Sequence, residues 1–390
     1  MKRFAFCALL LSLAVTHTGC IETRSDKSKT ADILALMPPD GAFGNAPHRF
    51  AEQVSSLTAG SLTLRVRNPE DMGIGIRQIF DQVDQGRLSM AVAPPAAYDI
   101  QGEPISFGPL LVSGMPFGFG PDEFLSWYFA AGGQQVVQEI IDARSAHANV
   151  MLFPLAITTS EPPGFFVDPV PNDADEFNAT AITYRINLLG AKVMKTAFPD
   201  LVIVDSPPGV VPVDKMCSGE IQGAELGTLS VYETLFFDRF QHENGNNIVE
   251  CGFQHLYLSS WQQLMLSNWL AIDRRFFDSL DRHEKSAVQA AVLASLTRSL
   301  AEERARGRGV IARIKQAGAT IHPSLPPMIL ARLREATAAV IQSESETDPD
   351  FARIISSMKA FARDNQSSLL YDGVPADQRF NLLPGWGLSK

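Results

Sequence analysis

Two short apolar segments in the middle of the chain each carry one isolated charge. Residues 183–191 predict a strand that leads into a helix, and this segment contains Arg185. Residues 218–227 predict a tight turn and a short strand, whose apolar part carries Glu225. An apolar strand at 201–204 lies between them. A charge among apolar neighbours must meet an opposite charge, a ligand or water. This stretch therefore predicts the polar centre of the molecule.

The N-terminal part alternates between strand and helix patterns, which predicts an α/β domain with a mixed or parallel sheet. Strands are predicted at 31–37, 62–66 and 89–94, and helices at 46–58 and 76–85. The apolar run 150–157 predicts a strand that crosses into a second domain.

The rest of the chain is predicted to finish the second domain and return to the first. We expect a loop at 160–166, a strand at 248–258 that crosses back, and apolar strand character at 261–272. Helices are predicted at 281–316, 326–343 and 348–365, the first of them loosened by Gly307 and Gly309. The acidic segment 169–178 predicts a solvated surface loop, because its spacing does not match a calcium-binding EF-hand.

The net charge and the N-terminal residues indicate an exported protein that does not bind nucleic acid. The net charge is −10, and nothing in the sequence resembles the basic face that nucleic-acid binding needs. Lys2 and Arg3 precede an apolar run that is too short to span a bilayer, as in a signal peptide. Thr-Gly-Cys at 18–20 is similar to a bacterial lipobox, in which Cys20 is lipidated, although His17 departs from that motif. An ordinary cleaved signal is the alternative. Residues 21–30 are polar and predict a tether.

Only two cysteines, Cys217 and Cys251, remain after the predicted signal. An oxidising compartment favours a disulfide between them, and two unpaired thiols are the alternative. The chain has no Cys-x-x-Cys motif, so nothing supports a structural zinc site. It also lacks a Gly-x-Ser-x-Gly elbow, a His-Glu-x-x-His motif and a P-loop, which argues against an enzyme.

The order of several short motifs resembles the solute-binding proteins of tripartite ATP-independent periplasmic (TRAP) transporters, nearest the branch that binds 2-oxo acids. The matching segments are 50–54, 58–62, 83–90, 114–118, 185–191 and 219–225. The resemblance implies a periplasmic α/β fold with two lobes around a cleft and a helical C-terminal region. It places lobe I at 31–155 and 256–325, lobe II at 156–255 and C-terminal helices at 326–370. The tail 371–390 has no counterpart.

The resemblance also implies a binding site for a small organic acid. Arg185 would hold the solute carboxylate, because a guanidinium makes bidentate pairs with carboxylates. Glu225 would bind a bridging Na⁺ or Ca²⁺, or accept a hydroxyl hydrogen bond. The alternatives are a structural Arg–Asp pair for Arg185 and a salt bridge to Lys215 for Glu225. His255 stands where the branch has a cation-ligating glutamate, which puts the cation in doubt because hard cations prefer oxygen.

Three aromatic residues complete the predicted solute site, namely Tyr98, Phe165 and Phe253. Burial in a core is the alternative for Tyr98 and Phe165, and Phe253 stands where the branch has a tryptophan. His255 would bond a second polar group of the solute, or lie partly buried and satisfied by the backbone. The implied function is capture of a small carboxylate and delivery to TRAP-type membrane subunits, with a homodimer through the C-terminal helices. The alternative is a periplasmic lipoprotein of the same fold that acts as a sensor or scaffold.

Overall fold

The structure is a computed structural model of the chain. It describes residues 28–36, 41–74, 78–94, 114–143, 149–186, 188–205, 212–233 and 247–365. Tyr98, Cys20 and the tail 371–390 lie outside these ranges, and so do the predicted signal and most of the tether.

Eleven strands lie in the described part of the chain. They are β1 (Lys29–Ala35), β2 (Leu62–Arg67), β3 (Met90–Ala93), β4 (Val150–Ile157), β5 (Gly164–Phe166), β6 (Thr183–Ile186), β7 (Val202–Asp205), β8 (Gly223–Ala224), β9 (His255–Ser259), β10 (Ser267–Asp273) and β11 (Thr320–Ser324).

The helices of the described ranges cover and connect these strands. They are α1 (Gly41–Leu57), α2 (Pro69–Met72), α3 (Ile79–Asp84), α4 (Pro121–Ala130), α5 (Gly133–Ala143), α6 (Ala174–Ala179), α7 (Leu188–Ala197), α8 (Val213–Cys217), α9 (Leu229–Glu233), α10 (Arg274–Ser279), α11 (Arg282–Gln316), α12 (Pro327–Thr347) and α13 (Pro349–Asp364).

The first sheet has the strand order β2-β1-β3-β10-β4. Strand β1 runs parallel to β2 and β3, whereas β10 is antiparallel to both β3 and β4. The strands β3, β4 and β10 are almost wholly buried, which explains their nearly continuous apolar sequence. This sheet is the mixed α/β sheet predicted for the first domain.

The second sheet has the order β11-β9-β5-β8-β6-β7. Strand β6 runs parallel to β7 and β8, and β5 is antiparallel to β8 and β9. Its two faces contribute to different apolar clusters. One face continues the core of the first sheet, and the other forms a smaller cluster that includes Phe165, Leu256 and Ile314.

The structure corrects the predicted boundary between the lobes. Residues 256–325 were assigned to lobe I, but His255–Ser259 and Thr320–Ser324 pair with each other in the second sheet. Strand β10, between them in sequence, does belong to the first sheet. The chain therefore crosses between the sheets at 157–164 and again at 259–267, and α11 makes a further connection.

Helix α11 packs on both sheets and is continuous over its whole length. It begins with a capping box, in which Asp281 accepts from the Glu284 N–H and Glu284 accepts from the Asp281 N–H. We expected Gly307 to loosen this helix, and instead it lies against Leu229. A Cβ at Gly307 would stand 3.3 Å from the Leu229 Cδ1 atom. The glycine is therefore explained by the close approach of α9.

Three predicted segments differ from the structure. The acidic segment 169–178 was predicted as a surface loop, but Ala174–Ala179 forms helix α6, which Asp173 caps by accepting from the Asp175 and Glu176 N–H groups. Residues 160–166 were predicted as a loop, but Gly164–Phe166 forms strand β5 in the middle of the second sheet. Residues 248–258 were predicted as one strand, but only His255–Ser259 is extended. Gly252 has φ +94°, which turns the chain away from a strand. A disulfide joins Cys217 to Cys251 at this turn, with the Cα atoms 4.5 Å apart.

The C-terminal helices pack on their own chain. Helix α12 lies against α7, and α13 lies against α12 and α5. Asp348 begins α13 by accepting from the N–H groups of Asp350 and Phe351. Within the described ranges, no helix is both long and apolar enough to cross a membrane.

Candidate functional site

Arg185 and Glu225 meet because their strands are neighbours in the second sheet. Arg185 pairs in register with Ala224, so Glu225 follows at the end of β8. The Glu225 N–H donates to the Arg185 carbonyl at 2.9 Å, which extends the ladder by one residue. The two isolated charges of the sequence therefore come together through strand pairing.

The two side chains form a buried ion pair. Arg185 Nη1 lies 2.8 Å from Glu225 Oε2 and also donates to the Glu225 main-chain carbonyl. The Arg185 side chain is 2% exposed and that of Glu225 is 1% exposed. Glu225 Oε1 accepts from the Gly227 N–H at 2.6 Å. Lys215, the alternative partner for Glu225, instead pairs with Glu220 at the surface.

A third acidic side chain, Glu161, lies beside this pair and was not predicted. It lies in the crossing segment between β4 and β5, and its side chain hydrogen-bonds to that of Glu225. Gln262 holds the segment by donating from Nε2 to the carbonyls of Glu161 and Pro162, at 3.1 and 2.9 Å. Sequence reasoning missed Glu161 because it treated 160–166 as a loop, where a glutamate is ordinarily exposed.

Gly164 allows the crossing segment to approach the ion pair so closely. Its φ is +127°, and a Cβ there would collide with the Ala224 carbonyl oxygen. Only glycine fits this position. The Tyr184 hydroxyl donates to the Pro163 carbonyl and so holds the crossing segment against strand β6. The local sequence around Pro163 and Gly164 therefore sets the position of Glu161.

The buried site contains three carboxyl groups, those of Glu161, Glu225 and Glu303, beside the guanidinium of Arg185. Burial, the neighbouring charge of Glu225 and a hydrogen bond to it raise the pKa of Glu161 well above its usual range. Glu303 of α11 is also buried and adds to this effect. It accepts from the Ser230 N–H and from the Ser230 hydroxyl. Glu303 was also not predicted, because it lies in the charged run 302–306 of a long helix, which resembles a solvated surface.

Replacing Glu161 by glutamine should make the protein more stable at alkaline pH. A carboxyl whose pKa is raised on folding stabilises the folded state below its ordinary pKa of 4.5, and this contribution is lost as the pH rises through the folded value. Glutamine has no charge to bury, so E161Q should melt higher than the wild type by about 1–3 °C at pH 8 to 9. The difference should shrink toward pH 5.

Thermal unfolding in the presence of a chelator measures this effect across the pH range. The matched control is E220Q, because Glu220 is an exposed carboxylate in the same sheet region. The raised pKa of Glu161 would be contradicted if the melting temperatures of E161Q and the wild type differed by the same amount at every pH from 5 to 9.

Two predicted aromatic residues are core residues on the face of the sheet that carries Arg185. Register places Arg185, Ala224, Phe165 and Leu256 in one row across β6, β8, β5 and β9. Phe165 is buried against Tyr232, with ring centroids 5.9 Å apart. Phe253 is buried in the smaller cluster behind this row. Phe165 is thus close in register to the ion pair, whereas Phe253 serves the core.

The structure corrects the predicted role of His255. It pairs in register with Phe166, Phe166 pairs with Gly223, and Gly223 pairs with Tyr184. These four residues form the row next to that of Arg185. Adjacent rows of a sheet face opposite sides, so His255 points away from Arg185. Its imidazole Nδ1 lies 3.0 Å from Nε2 of His322 on β11. His255 therefore does not belong to the site around Arg185.

The donor set around Glu225 has the chemistry of a hard-cation site but few side-chain ligands. Glu161 and Glu225 offer carboxylate oxygens, which Na⁺ and Ca²⁺ prefer. In the described ranges, no group of three or more acidic, histidine or cysteine side chains is arranged to hold a metal ion. A cation here would therefore draw on two carboxylates, with the remaining oxygens supplied by backbone, water or solute.

Several solved structures of solute-binding proteins from other organisms are similar to this structure. A TRAP transporter solute-binding protein from Bordetella bronchiseptica RB50, with calcium and picolinate, has 18% identity and a TM-score of 0.74, covering 92% of this chain and 98% of that chain. One from Pseudoalteromonas atlantica T6c, with sodium and pyruvate, has 17% identity and a TM-score of 0.72, covering 91% and 98%.

A third structure, from Colwellia psychrerythraea with calcium and pyruvate, has 17% identity and a TM-score of 0.69, covering 88% of this chain and 99% of that chain. No protein-family model matches the chain, and no curated protein matches it. The structural matches confirm the fold class predicted from the sequence. The chain therefore has the two-lobed α/β fold of the TRAP periplasmic solute-binding proteins.

Proposed function

We propose that this protein captures a small organic acid between its two lobes and delivers it to a TRAP-type membrane transporter. The observation that carries the proposal is the buried Arg185 at the end of β6, beside the segment that crosses between the sheets. The solved proteins that share its fold are binding proteins, and several hold a small carboxylate. Binding rather than catalysis is the proposed role.

Arg185 would anchor the solute by its carboxylate. The guanidinium already contacts one carboxylate, that of Glu225, and a solute carboxylate offers the same paired oxygens. Because Arg185 is only 2% exposed, the solute must enter while the lobes are apart. The two crossing segments, 157–164 and 259–267, are the natural positions for a hinge that closes around the solute. Phe165 would supply an apolar wall in the same row.

We propose that a cation, Na⁺ or Ca²⁺, accompanies the anionic solute. Glu161 and Glu225 place two carboxylates next to each other with one guanidinium to offset them. An added anion would increase the excess of negative charge, and a bound cation would offset it. Glu225 and Glu161 are the proposed ligands of this cation. Two solved structures with this fold contain sodium or calcium together with pyruvate.

The partners and location follow from the same proposal. The protein would act in the periplasm, anchored through lipidated Cys20, and dock on the membrane subunits of the transporter. The C-terminal helices α12 and α13 bury their apolar faces on their own chain. A homodimer through these helices would therefore use their outer faces.

Thermal unfolding against a panel of small carboxylates tests the proposed function. The panel includes pyruvate, picolinate and pyroglutamate, each with and without added NaCl or CaCl₂. A ligand that binds only the folded protein stabilises it by about 2.7 kcal/mol at a hundredfold excess over its Kd. We expect at least one acid to raise the melting temperature, more so with the cation, and R185K to weaken the effect because lysine lacks the planar fork.

The control is R332K, because Arg332 is a surface arginine that pairs with Asp175 away from the site. Its melting response to the acids should equal that of the wild type. No stabilisation by any acid in a protein that melts cooperatively would contradict the proposal.

A second candidate function is a sensor or scaffold that retains the fold without transporting a solute. It is favoured by one observation, that Arg185 bonds both the carboxylate and the main-chain carbonyl of Glu225. Such a pair could be purely structural. Under this alternative the carboxylate panel has no effect on melting, and membrane subunits of a TRAP transporter are not encoded beside the gene.

A further inference from the structure

Two histidines face each other on the edge strand β11 and on its neighbour β9 in the second sheet. Strands β9 and β11 run parallel, and their register places His322 beside Tyr257, two residues along from His255. His255 Nδ1 lies 3.0 Å from His322 Nε2. Both side chains are partly exposed, so water and small ions can reach them. No part of the function proposed above uses either imidazole.

The ring of His322 is held in position by its neighbours. It stacks on Tyr257, with centroids 4.3 Å apart and an interplanar angle of 10°. Tyr257 is itself fixed, because its hydroxyl accepts from the Val170 N–H at 2.8 Å and its ring meets Phe166 edge to face. Because the ring of His322 is already held in one orientation, a ligand that binds it causes little further loss of side-chain conformational entropy, which favours binding.

We propose that His255 and His322 together bind one divalent transition-metal ion, such as Zn²⁺, Ni²⁺ or Cu²⁺. Imidazole nitrogens suit these ions. With bonds of about 2.0–2.1 Å, two nitrogens of one coordination sphere stand about 2.9 Å apart at a right angle and about 3.4 Å apart in a tetrahedron. The separation of 3.0 Å lies within this range. Water completes the sphere on the exposed side.

This metal site is separate from the proposed solute site. His255 and Phe166 belong to one row of the sheet, and Phe165 and Arg185 belong to the next row on the opposite face. The chemistry also differs, because hard ions such as Ca²⁺ prefer oxygen to imidazole. Binding at the two histidines would join the edge strand β11 to β9, and so would stabilise the edge of the sheet.

Titration of the purified protein with Cu²⁺, Ni²⁺ and Zn²⁺ tests the proposal, using protein without a polyhistidine tag. Calorimetry should show one ion per chain at this site, and the Cu²⁺ spectrum in electron paramagnetic resonance should show two coordinating nitrogens. When one imidazole has bound the ion, the second binds it at a high effective concentration, and this gain in affinity is lost when either histidine is removed. The variants H255Q and H322Q should therefore each bind at least about tenfold more weakly, with a one-nitrogen Cu²⁺ spectrum.

Two other histidines provide the matched control. His48 lines a surface groove, and His283 contacts the Leu57 carbonyl, both in the region of the first sheet. H48Q and H283Q should leave the affinity and the spectrum unchanged. The proposal is overturned if H255Q and H322Q, with melting curves like the wild type, bind Cu²⁺ as tightly as before. It is equally overturned if H48Q or H283Q removes the two-nitrogen spectrum, or if no ion binds.

Discussion

Replacing Arg185 by methionine should lower the free energy of unfolding by about 3–5 kcal/mol, because breaking a buried ion pair leaves an unpaired buried charge. Glu225 would remain 1% exposed beside Glu161, with no guanidinium to offset either carboxylate. Methionine keeps most of the volume, so the loss reports the charge rather than a cavity. Urea denaturation at neutral pH measures it. Under the proposed function, R185M should also abolish stabilisation by carboxylates.

The surface pair Lys215–Glu220 provides the matched control. Its atoms are 2.9 Å apart, but its side chains are 55% and 61% exposed. K215M should therefore cost less than about 1 kcal/mol. Removing both buried partners, in R185M/E225L, should recover part of the loss, because the orphaned charge is then gone. A loss in R185M no larger than in K215M would mean that Glu225 is not held by Arg185 as described.

Removing the disulfide should cost about 3–4 kcal/mol of folding free energy. Cys217 and Cys251 are 34 residues apart in sequence, and a loop of this length gives about that value in the chain-entropy treatment. The closed loop contains Glu225, Gly227 and Ser230, so the bond also constrains the chain that carries the ion pair. The double variant C217A/C251A should unfold at a lower urea concentration than the wild type.

A reducing agent provides the control for this second result. Reduction should lower the stability of the wild type toward that of C217A/C251A and should leave the double variant unchanged. If the reductant destabilised both proteins equally, the effect would lie outside this disulfide. If neither reduction nor substitution changed the urea midpoint, the disulfide would not contribute to the stability of the folded protein, and the prediction would be wrong.

Much of the fold could be predicted because the patterns are local. The apolar run Val150–Ile157 is observed as strand β4 with the predicted bounds. The helices that begin at Asp281 and Asp348 are marked by side chains that cap their first turns. In contrast, strand β5 has only three residues and follows two prolines. Its place in the sheet comes from pairing with β8 and β9, which no local pattern indicates.

The candidate site could be predicted only in part, for the same reason. Arg185 and Glu225 stand out as lone charges in apolar segments, but that they pair follows from the register of β6 and β8. Glu161 and Glu303 reach the site through a crossing segment and a long helix, whose local sequences resemble surface. His255 was assigned to the site from its position in the family motif, and a motif position does not indicate which face of the sheet a residue occupies. The register then sets which face His255 occupies.

Helix α11 makes the two lobes a single thermodynamic unit. Val288 and Leu296, in its first half, are buried in the cluster that fills the first sheet, whereas Val310 and Ile314 are buried in the smaller cluster of the second sheet. If either lobe unfolded alone, half of this helix would lose its apolar cover while the other half stayed packed. We therefore expect the two lobes to unfold together, and a destabilising substitution in one lobe to lower the stability of both.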